Sequence, residues 1–298
     1  MYLIGIDGGG STVRVAVTDE MLTILGQARA GGVNPNTVGR DHAARTIKET
    51  LSAALTLASI RADEVHAVGA GIAGAMTASF HDWLTEILRD MLPLAQIHIT
   101  TDMEIALIAA HGERHGVIVS AGTGSAAFGV NDQGEALLVG GWGYLLGDEG
   151  SGAWIGLQAL KHIAHASDRG QPSILAERVF DLLQIREARD LVPIIYQPGV
   201  LAAPRLARFA PLVLELADKD DAAQEIVKSG AAHLAELVNV LAERLKMDNP
   251  AICFGGGLLS GANPLSSALQ ARLGLDVFPV SVYPAEIGAV IYAMGQST

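Results

Sequence analysis

Three short apolar runs open the chain, at 2–6, 13–18 and 24–30, and the second alternates apolar with polar residues. Alternation with a period of two marks a strand with one covered face. Neighbouring runs of this length, joined by short turn-rich segments, predict an antiparallel meander. The period then becomes helical. Over 40–58, Ala43, Ala44, Ile47, Leu51, Ala54 and Leu55 recur on one face, which predicts a helix. A strand at 65–72, a helix at 80–92, a strand at 97–101 and a helix at 103–110 follow. The predicted order is βββαβαβα.

The order then restarts. A strand at 116–120 and strand candidates at 126–130 and 137–139 precede a helix at 151–166. Helices fill 172–247, and in the last of them Ile226, Leu234, Leu237, Val238, Leu241 and Leu245 keep helical spacing after the start signal Asp220-Asp221. A strand at 251–254, a helix after Pro264, a strand at 277–280 and a helix from Pro284 complete the pattern. The fold class is therefore α/β, with two copies of one βββαβαβα plan and a helical insertion of about 172–247 in the second. The expected domains are 1–112 and 113–298, with the terminal helix 285–298 packing back onto the first. A ligand cleft lined by glycine loops is expected between them.

Composition narrows the class. The chain has 298 residues, half of them hydrophobic, enough for one large or two medium cores. No stretch reaches the ~18 uninterrupted apolar residues of a membrane span. The amino terminus has no basic region ahead of its apolar residues, and Asp7 interrupts them, so no signal peptide is read. A soluble cytoplasmic protein is expected, with no membrane partner. Net charge is −12, from 32 acidic and 20 basic residues. With no basic stripe to offset it, that charge repels a phosphate backbone, so no nucleic-acid partner is expected. A nucleotide is not excluded, because backbone N–H groups and a metal can hold phosphates without side-chain cations. The single cysteine, Cys253, sits in an apolar stretch. It rules out an intrachain disulfide and a multi-thiol metal site, and reads as a small buried residue.

Chemistry concentrates at glycine-rich turns that follow strands. The first is Gly5-Ile6-Asp7-Gly8-Gly9-Gly10-Ser11-Thr12. Missing side chains at Gly8, Gly9 and Gly10 let backbone N–H groups approach an anion, and Ser11 and Thr12 add hydroxyls. Asp7, at the strand end, can hold Mg²⁺ directly or through water. A tight hairpin with a turn-stabilising Asp explains the same residues. Gly122-Thr123-Gly124-Ser125 repeats the device at the start of the second plan. It is not a Walker A loop, since no Lys follows, nor a dinucleotide fingerprint, since strand rather than helix follows. Gly255-Gly256-Gly257 is a third turn after a strand, open to an adenosine or simply leading to a helix.

Between the first two loops lies Thr100-Thr101-Asp102. Phosphoryl transfer to an alcohol needs a carboxylate to accept the hydroxyl proton, and Asp102 is the candidate base. A nearby helix N-terminus would help keep it ionised. The competing reading is a helix N-cap. Segment 140–151 (GGWGYLLGDEGS) is the other dense spot. Asp148, Glu149 and the amides of Gly141 and Gly143 suit sugar hydroxyls, with Trp142 either a contact or core. Asn34 and Asn36, around Pro35, can read hydroxyls or stabilise their turn. His162 and His165 lack a third metal ligand nearby and read as helix surface.

Taken together, these segments resemble the N-acetylglucosamine kinase and BadF/BadG/BcrA/BcrD ATPase family, within the sugar kinase, heat-shock ATPase and actin superfamily. The resemblance covers essentially the whole chain and is carried by 5–12, 31–36, 100–102, 120–125 and above all 140–151. It implies two ribonuclease H-like domains in the actin-like arrangement, closing on the sugar. It implies ATP and Mg²⁺ as cofactors, with the phosphates clamped at positions matching Ser11 and Thr123 and the adenosine side at Gly256. Asp102 matches the base for the sugar 6-hydroxyl. Sugar contacts match Asn34, Ser125, Gly141, Trp142, Gly143 and Asp148. Two departures stand out: Ala126 replaces an Asn that such kinases can carry after the GTGS segment, and Ala73-Gly74 offer no donor to the sugar.

The expected activity is an ATP-dependent kinase acting on the 6-hydroxyl of an amino sugar, N-acetylglucosamine first. Glucosamine or N-acetylmuramic acid is the alternative substrate, and an ATPase driving a protein partner is the alternative class. A homodimer is expected. Activator ATPases of this superfamily bridge an iron–sulfur cluster with cysteines, which one Cys253 cannot do. Sugar-responsive repressors of related fold carry a DNA-binding unit and a cysteine-rich zinc site, both foreign to this sequence.

Overall fold

The computed structural model describes residues 1–74, 77–197 and 203–296. The chain divides into two compact units, Met1–Ile118 with Val130–Gly134 and Ser281–Thr298, and Val119–Gly129 with Glu135–Val280. The change of unit falls inside a strand rather than at 112/113.

Unit 1 holds β1 (Tyr2–Gly8), β2 (Thr12–Thr18), β3 (Ile24–Gly31), α1 (Pro35–Val38), α2 (Arg40–Ala58), β4 (Val65–Ile72), α3 (Ala78–Met91), β5 (Gln96–Thr100) and α4 (Asp102–His111). Its sheet runs β3-β2-β1-β4-β5. The meander β1–β2–β3 is antiparallel, and β4 and β5 add in parallel. This is the βββαβαβα plan with one extra short helix. The closing helix α12 (Ala285–Gln296) belongs to this unit and packs on β1, β4 and α4.

Strand parity sorts the two faces of the sheet. Ile4 and Ile6 of β1 point, with Val13, Val15, Val17, Val68, Ala70 and Ile72, to the core that buries Ile47 and Leu51 of α2 and Phe80, Leu84 and Leu88 of α3. Each such aliphatic side chain stabilises the fold by about 1.5–3 kcal/mol when fully buried. The opposite face is nearly bare: Gly5 and Asp7 on β1 stand beside Gly69 and Gly71 on β4. Without side chains there, helix backbone can lie on the sheet. A Cβ on Gly5 would stand 1.8 Å from the Glu286 carbonyl oxygen, and one on Gly69 would stand 1.9 Å from that of Ala289.

Unit 2 continues with β6 (Gly116–Ala121), which begins in unit 1, then β7 (Ser125–Val130), β8 (Ala136–Gly140), α5 (Gly152–Asp168), α6 (Ile174–Leu183), α7 (Leu191–Ile195), α8 (Ala203–Ala207), α9 (Ala210–Leu216), α10 (Asp221–Arg244), β9 (Ile252–Gly255) and α11 (Pro264–Arg272). The sheet order is β8-β7-β6-β9. The expected insertion is helical, although its residues 198–202 lie outside the described ones. Asp220 caps α10 through the Ala223 N–H at 2.9 Å. α10 buries Ile226, Leu234, Val238 and Leu241. The expected strand at 277–280 is not formed, so the second copy lacks its last strand. Pro279 has no N–H to give a ladder, and Val277 and Val280 are exposed. Cys253 is buried. Among the described residues no helix is long and apolar enough to cross a membrane.

Candidate active site

The first glycine loop is the β1–β2 hairpin turn, so the two readings of these residues concern one object. Its carbonyl oxygens face inward. Gly8 O accepts from Ala73 N at 2.7 Å, Gly9 O from Val33 N at 3.0 Å, and Thr12 O from Gly9 N at 2.8 Å. A Cβ on Gly32 would stand 2.1 Å from Gly10 O, so segment 32–36 lies directly against the loop. Gly10 itself has nothing within 4 Å of a Cβ position. The loop is therefore open to a ligand beside Gly10.

Asn34 caps α1, its Oδ1 accepting from Asn36 N at 3.0 Å. A Cβ on Gly74 (φ +90°) would lie 3.2 Å from Asn36 Nδ2 and 3.4 Å from Asn34 Oδ1. Both amides thus gather beside Gly74, where the expected lack of a donor side chain leaves room.

Asp7 lies on the glycine face of β1. Its cross-strand partner is Arg14 on β2, and Arg14 Nη1 donates to Asp7 Oδ2 at 2.9 Å. Burial raises the Asp7 pKa from 3.8 to about 6; Arg14 opposes that rise, while Glu286 and Asp102 add to it. On the other side Asp7 pairs with Gly71 of β4. A Cβ on Gly71 would stand 2.7 Å from the Thr101 carbonyl oxygen, so this glycine lets the start of α4 settle beside Asp7. Asp102 is the first residue of α4 and not its cap. Thr101 is the cap, its Oγ1 accepting from Glu104 N at 3.1 Å. The Asp102 carboxylate is therefore not the helix cap. Burial raises the Asp102 pKa, with the Met103 and Asp102 N–H groups pulling the other way. The helix terminus therefore moderates the shift without reversing it.

Behind Asp102, Thr100 Oγ1 donates to Glu104 Oε2, and Arg114 Nε pairs with Glu104 Oε1 at 2.5 Å. Glu286, almost fully buried, accepts from Gln27 at 2.6 Å through Oε1, and its Oε2 has no partner. Neither group nor Arg14 is marked by glycine-rich sequence. Arg14 alone was within reach of sequence reasoning, since a hairpin turning at 9–12 pairs 8 with 13 and 7 with 14.

Unit 2 assembles the remaining positions. Gly122 N donates to Gly124 O at 2.9 Å, and the first N–H groups of α5 reach back, Gly152 N to Gly122 O at 2.8 Å and Ala153 N to Thr123 O at 3.3 Å. The third turn lies against the second: Leu258 N donates to Ala121 O at 3.0 Å, and a Cβ on Gly256 (φ +77°) would stand 2.4 Å from that oxygen. Gly255 ends β9, and Gly257 has open space beside it. Ser125 Oγ donates to Glu149 O at 2.9 Å, and Gly141 N to Ser125 O at 2.9 Å.

Asp148 is buried in the left-handed region (φ +56°), accepts from Gly143 N at 3.2 Å, and crowds Gly124 so closely that a Cβ there would meet Oδ2 at 2.6 Å. Its pKa is raised by burial, against bonds from the Gly143 and Ser125 N–H groups. Ser151, not Asp148, caps α5. Trp142 is 74% exposed, which removes the core reading. His162 and His165 stay on α5, and no group of three or more His, Cys, Asp or Glu among the described residues can hold a metal alone.

A family model described as the BadF/BadG/BcrA/BcrD ATPase family matches residues 4–293. The chain is 30% identical over 303 residues to an N-acetylmuramic acid/N-acetylglucosamine kinase of Clostridium acetobutylicum, covering 99% of each. It is 28% identical over 287 residues to an N-acetyl-D-glucosamine kinase of Dictyostelium discoideum, covering 91% of this chain and 89% of that one. A solved structure from Chromobacterium violaceum, provisionally described as an N-acetylglucosamine kinase, superposes with a TM-score of 0.78 at 28% identity over 98% of both chains.

Proposed function

The chain belongs to the BadF/BadG/BcrA/BcrD ATPase family, and from that premise we propose that it transfers the terminal phosphoryl group of ATP to the 6-hydroxyl of N-acetylglucosamine. The observation that carries this reading is the placement of Asp102, half-buried at the start of α4, where its charge acts on Asp7 at the edge of the open glycine loop. Kinase names on relatives that span the chain from end to end support it.

In this reading Asp102 accepts the proton of the sugar hydroxyl, whose oxygen forms the new bond to phosphorus. The bond from that phosphorus to the bridging oxygen breaks, and ADP leaves. Asn34, Asn36, Ser125, Gly141, Trp142, Gly143 and Asp148 orient the sugar. Gly8, Gly9, Gly10, Ser11 and Thr12, with Gly122, Thr123 and Gly124, hold phosphates, and Gly255, Gly256 and Gly257 take the adenosine side. Asp7 suits Mg²⁺, an oxygen-seeking ion that takes few ligands from protein and the rest from water and phosphates. That fits Asp7, a carboxylate near the end of β1 where the 8–12 loop begins. When bound, the ion neutralises charge on the transferring group.

ADP release is to be measured across hexoses, N-acetylglucosamine, glucosamine and N-acetylmuramic acid, with the product's phosphate position read by ³¹P–¹H NMR. The expected result is strong stimulation by N-acetylglucosamine and a 6-phosphate. ATP hydrolysis that no sugar alters would overturn the kinase reading in favour of an ATPase serving a protein partner.

A further inference from the structure

Five residues form one row across the glycine face of the unit 1 sheet. In strand order they are Arg29, Arg14, Asp7, Gly71 and Thr100, from β3 to β5, and each is the direct partner of the next. Two guanidinium groups therefore stand opposite one another beside Asp7, at the end of β1 that enters the phosphate loop. Like charges directly opposed on adjacent strands are destabilising. Such a pair in a chain of net charge −12 asks for an anionic counterpart.

Asp7 meets only part of that demand. Its bond to Arg14 uses one nitrogen, Nη1, of a fork that carries five N–H donors. The Arg14 side chain is 49% exposed while that of Asp7 is 16% exposed, so the head of Arg14 reaches out past its partner. The charges that act on Asp7 from the packed elements are otherwise acidic, Asp102 on α4 and Glu286 on α12, which makes three carboxylates with Asp7 itself. Arg114 is engaged by Glu104 and by Gly134 O. A nucleoside triphosphate entering such a region meets repulsion from three carboxylates unless a mobile cation turns toward it.

We propose that Arg14 is that cation: its guanidinium, held by Asp7 in this structure, turns onto the terminal phosphoryl group of a triphosphate seated on the 8–12 loop. The inference rests on the nucleotide reading given above. Arginine suits the role because its planar fork matches phosphate oxygens and never loses its charge. Transfer of Asp7 to a metal ion would release the fork on the same face, so the two events reinforce each other. Arg29, one strand further from the loop, holds the outer end of the row and is not given this contact.

Equilibrium binding of the non-hydrolysable triphosphate AMPPNP and of ADP, each with MgCl₂, tests the inference on the full chain. For Arg14→Gln the expected result is a loss of about tenfold or more in AMPPNP affinity with ADP affinity changed less than twofold. Arg14→Lys should recover part of the loss, and Arg29→Gln should leave both affinities within about twofold. Equal weakening of AMPPNP and ADP by Arg14→Gln, or no weakening of either, would overturn the assignment. So would an equal AMPPNP loss in Arg29→Gln, which would mean a diffuse field and no contact. Failure of the unsubstituted chain to bind either nucleotide would instead overturn the nucleotide reading itself, and this inference with it.

Discussion

Gly71→Ala isolates the step by which sheet geometry places Asp102, the proposed base. The new methyl group would stand 2.5 and 2.6 Å from Cγ1 and Cδ1 of Ile105 and 2.7 Å from the Thr101 carbonyl oxygen. Ile105 can rotate away, but the Thr101 oxygen is backbone and belongs to the residue before Asp102. Ordinary contact begins near 3.4 Å, so the start of α4 must retreat by about 0.7 Å. Overpacking of this size costs about 1–3 kcal/mol of stability. Displacement of a reacting group by about 1 Å can cost about 10²-fold in rate, so kcat should fall about 10- to 100-fold. Sugar KM should stay within about threefold, because Asn34, Asn36 and the unit 2 contacts do not touch Gly71. Steady-state kinetics beside a melting curve read both effects. Gly69→Ala is the control, since its methyl group would strike Ala289 of α12 at 1.9 Å, away from the base. The reasoning is refuted if Gly71→Ala keeps kcat while losing stability, or if Gly69→Ala loses kcat to the same degree at matched folded fraction.

Asp102→Asn should lower kcat by about 10²–10⁴-fold while sugar affinity, measured by calorimetry, stays within about threefold; a near-normal kcat would remove Asp102 as the base. A base must be ionised, and burial raises the Asp102 pKa, so kcat/KM should fall with decreasing pH on a limb above the usual carboxylate range, and a flat profile down to pH 4 would contradict this. Asp7 is raised from 3.8 to about 6, so its protonated form is favoured by folding and its ionisation costs stability as pH rises through that window. The difference amounts to about 3 kcal/mol at most, with the opposing effect of Arg14 already included. Asp7→Asn should therefore raise the melting temperature of the nucleotide-free protein at pH 7.5 and leave it unchanged near pH 3.5; equal shifts at both pH values would refute this. Asp148→Asn keeps a residue tolerant of φ near +56° and should raise sugar KM about tenfold or more with kcat nearly kept, whereas an unchanged KM would take Asp148 out of the sugar site.

What could be read from the sequence divides along the range of the interactions involved. Strands and helices of unit 1 follow local periodicity, and α2 and β4 begin and end where their apolar repeats do. The strand expected at 277–280 shared that local signal and still failed. Pro279 cannot complete a ladder, and nothing in a four-residue apolar run says whether a partner strand is present. Asp102 shows the same limit at a site. Its neighbours Thr101 and Met103 fit either a cap or a base, and the cap reading falls because Thr101 takes the capping bond, a competition between two adjacent side chains that spacing does not rank. Glycine is where local and long-range information meet. Gly5, Gly69 and Gly71 read in sequence as weak strand positions, yet each marks a place where helix backbone lies on the sheet. That approach brings Glu286 of the last helix and Asp102 of the fourth to Asp7, across sequence separations no motif spans. The acidic cluster around Asp7 is thus encoded by missing side chains, while the cation bonded to it, Arg14, stands on the other arm of the first hairpin.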